Sequence, residues 1–154
     1  MKKFLTIAFS IFLLTSTDIN AQVFNRETIK CLGTELDGSV TLRVHGYGRN
    51  RADAKEQAMK NAVWAIVFNG VRDGVHGSPL RPIVTEVNAQ ERYADYFNIF
   101  FADNGEYKKY ISLRDTKKFS AGRSKDKLGY DYYLTIRVLR SELKKRLQDD
   151  NVID

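Results

Sequence analysis

The chain reads as an α+β protein: a mainly antiparallel four-stranded sheet with two longer helices and a short C-terminal helix on one face, in the order ββααββα. Three observations carry this reading. "VTLRVHGYG", from Val40, alternates apolar and polar residues as a half-buried strand does. "RADAKEQAMKNAVWAIVF", 51–68, repeats alanine at about helical spacing. "YDYYLTIRVL", from Tyr130, alternates again and leads into the short helical run "SELKKRL".

The N-terminal segment stands apart from this fold. Lys2 and Lys3 precede the apolar run "FLTIAFSIFLL", and "NAQ" follows with a small residue suited to cleavage after Ala21. This is the three-part pattern of a secretory signal peptide over 1–21, and the run is shorter than the ~20 residues that cross a bilayer. A single domain is expected over 22–154, exported to the periplasm or secreted, with outer-membrane association as a further option. The one cysteine, Cys31, lies far from the apolar run and so does not serve as a lipidation site. It cannot form an internal disulfide, so packing must hold the domain. Two readings of Cys31 stay open: a small buried hydrophobe, or a free thiol.

Within the domain, "TIKCLGTELDGSVTLRVHGYG" holds two strand-like runs around Asp37-Gly38, a pair that tolerates the positive φ of a tight hairpin. Val40, Leu42 and Val44 share the core face; Thr41, Arg43, His45 and Tyr47 share the other. Gly46 and Gly48 end the strand, and Asn50 is placed to cap the helix at 51–68. Ala54, Ala58, Ala62 and Ala65 form its small-residue stripe. The glycine turn admits two uses, a close seat for that stripe or an anion site at the helix N-terminus. It lacks the third glycine of a dinucleotide fingerprint and the GK[ST] of a phosphate loop, which favours the seat.

"VRDGVHGSPLRPIV" follows as an exposed loop holding two glycines and both prolines, directly after Gly70. A second helix is expected at 86–102, with Val87, Tyr93, Ala94, Phe97, Phe100 and Phe101 on its apolar side, and Asn104-Gly105 marks a turn. "EYKKYISLRDTKKF" and "LGYDYYLTIRVL" read as the strands of a second hairpin, joined by the polar "SAGRSKDK". In the last strand Tyr132, Leu134, Ile136 and Val138 oppose Tyr133, Thr135 and Arg137. A final helix starts near Ser141 and sets Leu143 and Leu147 one turn apart.

The segments "VTLRVHGYGRNRADAKEQAMKNAVWAIVFNGV" and "YDYYLTIRVLRSELKKRL" resemble the N-terminal domain of flagellar assembly protein T and small related bacterial envelope lipoproteins. The shared pattern is a strand, glycines, a helix with alanine at about every fourth position, and a closing strand with a short helix. The resemblance implies a small periplasmic or outer-membrane-associated α+β domain that acts in assembly or binding and carries no catalytic set. This chain lacks the lipobox and adds the Gly/Pro loop and an aromatic second helix. A flagellar role is therefore not carried over, and no functional residues transfer.

Chemistry read from the residues themselves points the same way. The two histidines, His45 and His76, fall in different elements, outside any HExxH or paired-ligand spacing, and no GxSxG is present. Neither a catalytic set, a metal site nor a cofactor is expected. A Cys31–His45 thiol pair on neighbouring strands is the one enzymatic alternative, and a strand-borne cysteine lacks the usual means of lowering its pKa.

The sequence carries 25 basic and 19 acidic residues, a formal +6. Loss of Lys2, Lys3 and Asp18 with the signal would leave +5. This excess favours anionic neighbours, and export argues against nucleic acid. Two candidate binding regions result. One is the sheet face of Arg43, His45 and Tyr47, joined by Tyr133 and Arg137 if the two hairpins are neighbours, unless a third layer or a dimer partner covers it. The other is the basic hairpin with Lys117, Lys118, Arg123, Lys125 and Lys127 near its tip, which also reads as a solvated loop. The expected partner is an envelope protein complex for the first, and an anionic glycan or lipid surface for the second.

Overall fold

A computed structural model of the chain describes residues 29–74, 79–114, 123–125 and 129–154. The expected signal peptide, His76 and the basic residues Lys117, Lys118 and Lys127 lie outside these residues.

Strand β1 (Lys30–Thr34) and strand β2 (Val40–Gly48) pair antiparallel. Their connection turns at Gly38, whose φ of 77° is the left-handed value that a tight hairpin needs. Glu35 N–H donates to the Ser39 carbonyl at 2.9 Å, and Ser39 N–H donates to Asp37 Oδ1 at 2.8 Å. A bulge interrupts the ladder between Cys31 and Gly33.

Helix α1 (Arg51–Trp64) begins at Asn50, whose side-chain oxygen accepts from the Ala52 and Asp53 amides at 2.8 and 3.0 Å. It continues as a π-helical turn, Ala65–Asn69, that stops at Gly70 with φ 67°. Ala54, Ala58 and Ala62 have no exposed surface. The glycines of β2 make this seat possible: a Cβ on Gly46 would stand 2.1 Å from the Ala54 carbonyl oxygen, and one on Gly48 would stand 2.4 Å from the Ala54 nitrogen.

Three expectations need correction. First, the aromatic segment forms two short helices, α2 (Ala89–Arg92) and α3 (Ala94–Phe100). Asn88 adopts a left-handed φ of 63° and so cannot belong to a helix started at Glu86, and Tyr93 leaves the helical region between the two pieces. Second, the start of the expected third strand is a 3₁₀ turn, Glu106–Tyr110, which drives Tyr107 fully into the core. Third, Arg123 and Lys125 belong to a strand instead of a loop tip.

The remaining strands are β3 (Asp73–Gly74), β4 (Ile111–Ser112), β5 (Arg123–Lys125) and β6 (Tyr130–Val138). The sheet runs β3-β1-β2-β6-β4, with β5 also paired to β6. Its body is antiparallel, and β3 adds a two-residue parallel edge to β1. At the opposite edge β4 and β5 share β6, one facing Arg137 and Val138, the other Tyr130 to Tyr132. The two expected hairpins are therefore neighbours: β2 pairs with β6 in unbroken register from Val40↔Val138 to Gly48↔Tyr130.

Helix α4 (Arg140–Asp149) closes the described fold and buries Leu143 and Leu147. They join one core with Val40, Leu42, Val44, Leu134, Ile136 and Val138 from the sheet, Ala58, Ala62 and Ile66 from the helical layer, and Phe97, Phe100 and Tyr107. The helices thus cover one face of the sheet, and each fully buried aliphatic or aromatic side chain contributes about 1.5–3 kcal/mol.

Candidate functional site

The face of β2 and β6 turned away from this core holds the predicted sheet residues. The pleat sends Thr41, Arg43, His45 and Tyr47 to that side, and the register sets them opposite Arg137, Thr135, Tyr133 and Asp131. Arg43 and Tyr47 are exposed, His45 and Tyr133 half-buried, and Thr41 and Thr135 buried.

Tyr133 is the centre of the group. The Arg43 guanidinium carbon lies 5.6 Å from its ring centroid, and the His45 ring stands 5.0 Å away, tilted by 52°. These are cation–π and aromatic contacts of the kind that hold side chains flat on a sheet. Nε2 of His45 meets Oδ1 of Asp131, diagonally across the strand pair. On its backbone side the His45 carbonyl accepts from Asn61 Nδ2 of α1 at 3.1 Å, which ties the site's strand to the helix behind it. Arg137 reaches Glu35 of the β1–β2 connection at 3.4 Å. Tyr47 lies against Gly129, where a Cβ would be only 2.7 Å from the Tyr47 hydroxyl.

All five predicted sheet residues therefore sit on one surface. Asp131 and Lys30 were not foreseen: the first contacts His45, and the second stands opposite Arg43 on β1. That Asp131 shares a strand face with Tyr133, and that Lys30 points away from Cys31, follows from period-two alternation, but their neighbours depend on pairings between distant segments. Of the basic hairpin, Arg123 and Lys125 pair in register with Tyr132 and Tyr130, while Lys117 and Lys118 are outside the described residues.

The Cys31–His45 pair is not assembled. Cys31 is in register with Leu42 and packs on the core, whereas His45 projects from the opposite face. Among the described residues no group of three or more His, Cys, Asp or Glu side chains is placed to hold a metal ion. What the outer face offers is a flat array of cations, a carboxylate, an imidazole and two phenols, suited to contact by carboxylates and planar groups.

Set against protein-family models, curated proteins and solved structures, the chain matches none of them.

Proposed function

We propose that the chain is an exported, non-enzymatic binding or assembly module that docks through its outer sheet face on a larger protein complex of the periplasm or outer membrane. One observation carries this reading: Arg43, His45, Tyr47, Tyr133 and Arg137 lie together on one face of two adjacent long strands, with the helical core on the other face. Aromatic and arginine side chains are the types that anchor protein interfaces. The basic, apolar and small-residue pattern of the N-terminus supports export, and the two segments that resemble envelope assembly domains support the compartment. No helix of the described residues is long and apolar enough to cross a membrane.

Crosslinking in intact cells, followed by mass spectrometry of what the tagged chain captures, tests the proposal. One or two defined envelope proteins are expected, and both should be lost from the Arg43→Ala and Tyr133→Ala variants while the fold is retained. Capture unchanged in both variants would move docking off this face. Absence of captured protein, with salt-sensitive retention on acidic glycan or lipid, would transfer the function to the basic hairpin.

A further inference from the structure

A concavity of about 280 Å³ lies on the helical side of the molecule, between the π-helical turn at 65–69, the segment 84–88 and α2. Its apolar lining is Val84 and Ala89, both buried, and the half-buried Phe68. The Phe68 ring is fixed by neighbours, with centroids 4.6 Å from Trp64 and 4.7 Å from Phe97. The backbone around the concavity is also tied down. The Ile66 and Val67 carbonyls of the π-turn accept from the Ile83 and Val84 amides at 2.9 and 2.8 Å, and the Asn88 carbonyl accepts from the Glu91 and Arg92 amides at 3.1 and 3.0 Å.

The polar lining is Glu86, Asn88, Gln90 and Glu91. Glu86 is engaged by Arg92. The side chains of Asn88, Gln90 and Glu91 form no hydrogen bond or ion pair among the described residues. Among the described residues no lysine or arginine lines the concavity. An anion would therefore meet two carboxylates there with no facing cation. A simple cation would answer Glu91 and leave the amide donors of Asn88 and Gln90 unused. A neutral polyhydroxyl ring uses all three free side chains, because a hydroxyl both donates and accepts, a carboxamide does the same, and a carboxylate accepts. The C–H face of such a ring matches the apolar lining.

We propose that this concavity binds a neutral pyranose sugar, with Asn88, Gln90 and Glu91 bonding its hydroxyls and Phe68 against its C–H face. Its size suits one ring, since it stands at the lower end of the roughly 300–1,000 Å³ of pockets that enclose drug-sized ligands. The site is separate from the outer sheet face, so it stands or falls apart from the docking proposal.

The test is a titration of the ¹⁵N-labelled full chain with glucose, galactose and N-acetylglucosamine in turn, with tetramethylammonium chloride as the cationic control. Saturable shifts are expected at the amides of 67–69 and 84–92 with at least one sugar and not with the cation. The double variant Gln90→Ala, Glu91→Ala should weaken that binding by about tenfold or more, since it removes two hydrogen-bonding groups, one of them charged. Neither side chain has a partner in the protein, so the fold should be intact. Asn88→Gly keeps the left-handed turn while removing the carboxamide, and should weaken binding as well. Arg43→Ala should leave the affinity unchanged.

No saturable shift with any of the three sugars, or equal affinity in the double variant, would overturn the site. Saturable shifts of the same amides with tetramethylammonium, lost in Glu91→Gln, would overturn the neutral ligand in favour of a cation.

Discussion

Among the described residues Tyr107 is the largest side chain with no exposed surface, and its one polar atom is answered locally: the hydroxyl donates to Glu56 Oε1 at 2.9 Å. The same carboxylate receives Lys108 Nζ at 3.0 Å and the Asn104 amide at 3.3 Å. Lys108, and after it the Tyr107 hydroxyl and the Asn104 amide, hold the Glu56 carboxyl below its ordinary value of 4.5, against the opposing effect of burial. Removal of the phenol oxygen in Tyr107→Phe leaves Glu56 with one donor fewer and is expected to cost about 1 kcal/mol in urea denaturation. The depressed carboxyl also gives a pH signature. Its stabilisation is fully present above the unfolded value near 4.5 and is lost as the pH falls through the lower folded value. The difference in urea midpoint between wild type and Glu56→Gln should therefore be open at neutral pH and narrow as the pH falls below the unfolded value. A gap that persists unchanged into acid would assign the effect to packing in place of charge.

The element that matters most for the site is the contact between β2 and α1, because β2 carries the core on one face and Arg43 and His45 on the other. That contact depends on glycine at Gly46, where a methyl group would meet the Ala54 carbonyl at 2.1 Å, the Ala58 nitrogen at 2.5 Å and the Ala58 Cβ at 2.8 Å. Since these are backbone and helix atoms, relief requires moving the whole helix, and Gly46→Ala is expected to cost about 3 kcal/mol or more. Gly33→Ala is the matched control. A Cβ there meets nothing within 4 Å, and its effect should stay within about 0.5 kcal/mol. Thermal melts of the two variants check both outcomes. Much of this element was legible beforehand, since the alternation of β2, the Asn50 cap, the alanine stripe and the Asp37-Gly38 turn are all local patterns. The helix break at Asn88 and Tyr93 was not, because aromatic spacing alone does not reveal a left-handed residue. Nor was the 3₁₀ turn, which is set by where Tyr107 meets Glu56, 51 residues earlier in the chain. The candidate site divides in the same way: Arg43, His45 and Tyr47 follow from strand alternation, whereas the His45–Asp131 contact joins residues 86 apart and needs the β2–β6 register.

At the scale of the molecule, one core joins the sheet, α1, α3, the 3₁₀ turn and α4, so the described fold has no part of its central sheet that can open independently. Amides of β2 and β6 should accordingly exchange with deuterium only through global unfolding, while the two-residue strands β3 and β4 exchange through local opening at lower cost. Leu147→Ala, at a site with no exposed surface on α4, should lower the protection of the central β2 and β6 amides by about 3 kcal/mol. Arg43→Ala, on the exposed side of the same strand, should leave that protection within about 0.5 kcal/mol of wild type. The pair of results bears directly on function. If both hold, the outer face can be altered without disturbing the core behind it, and loss of a captured partner in Arg43→Ala reports docking. If Arg43→Ala lowers the central protection as Leu147→Ala does, the cation–π contact with Tyr133 is part of what holds the sheet, and the face must be probed through Tyr47 instead.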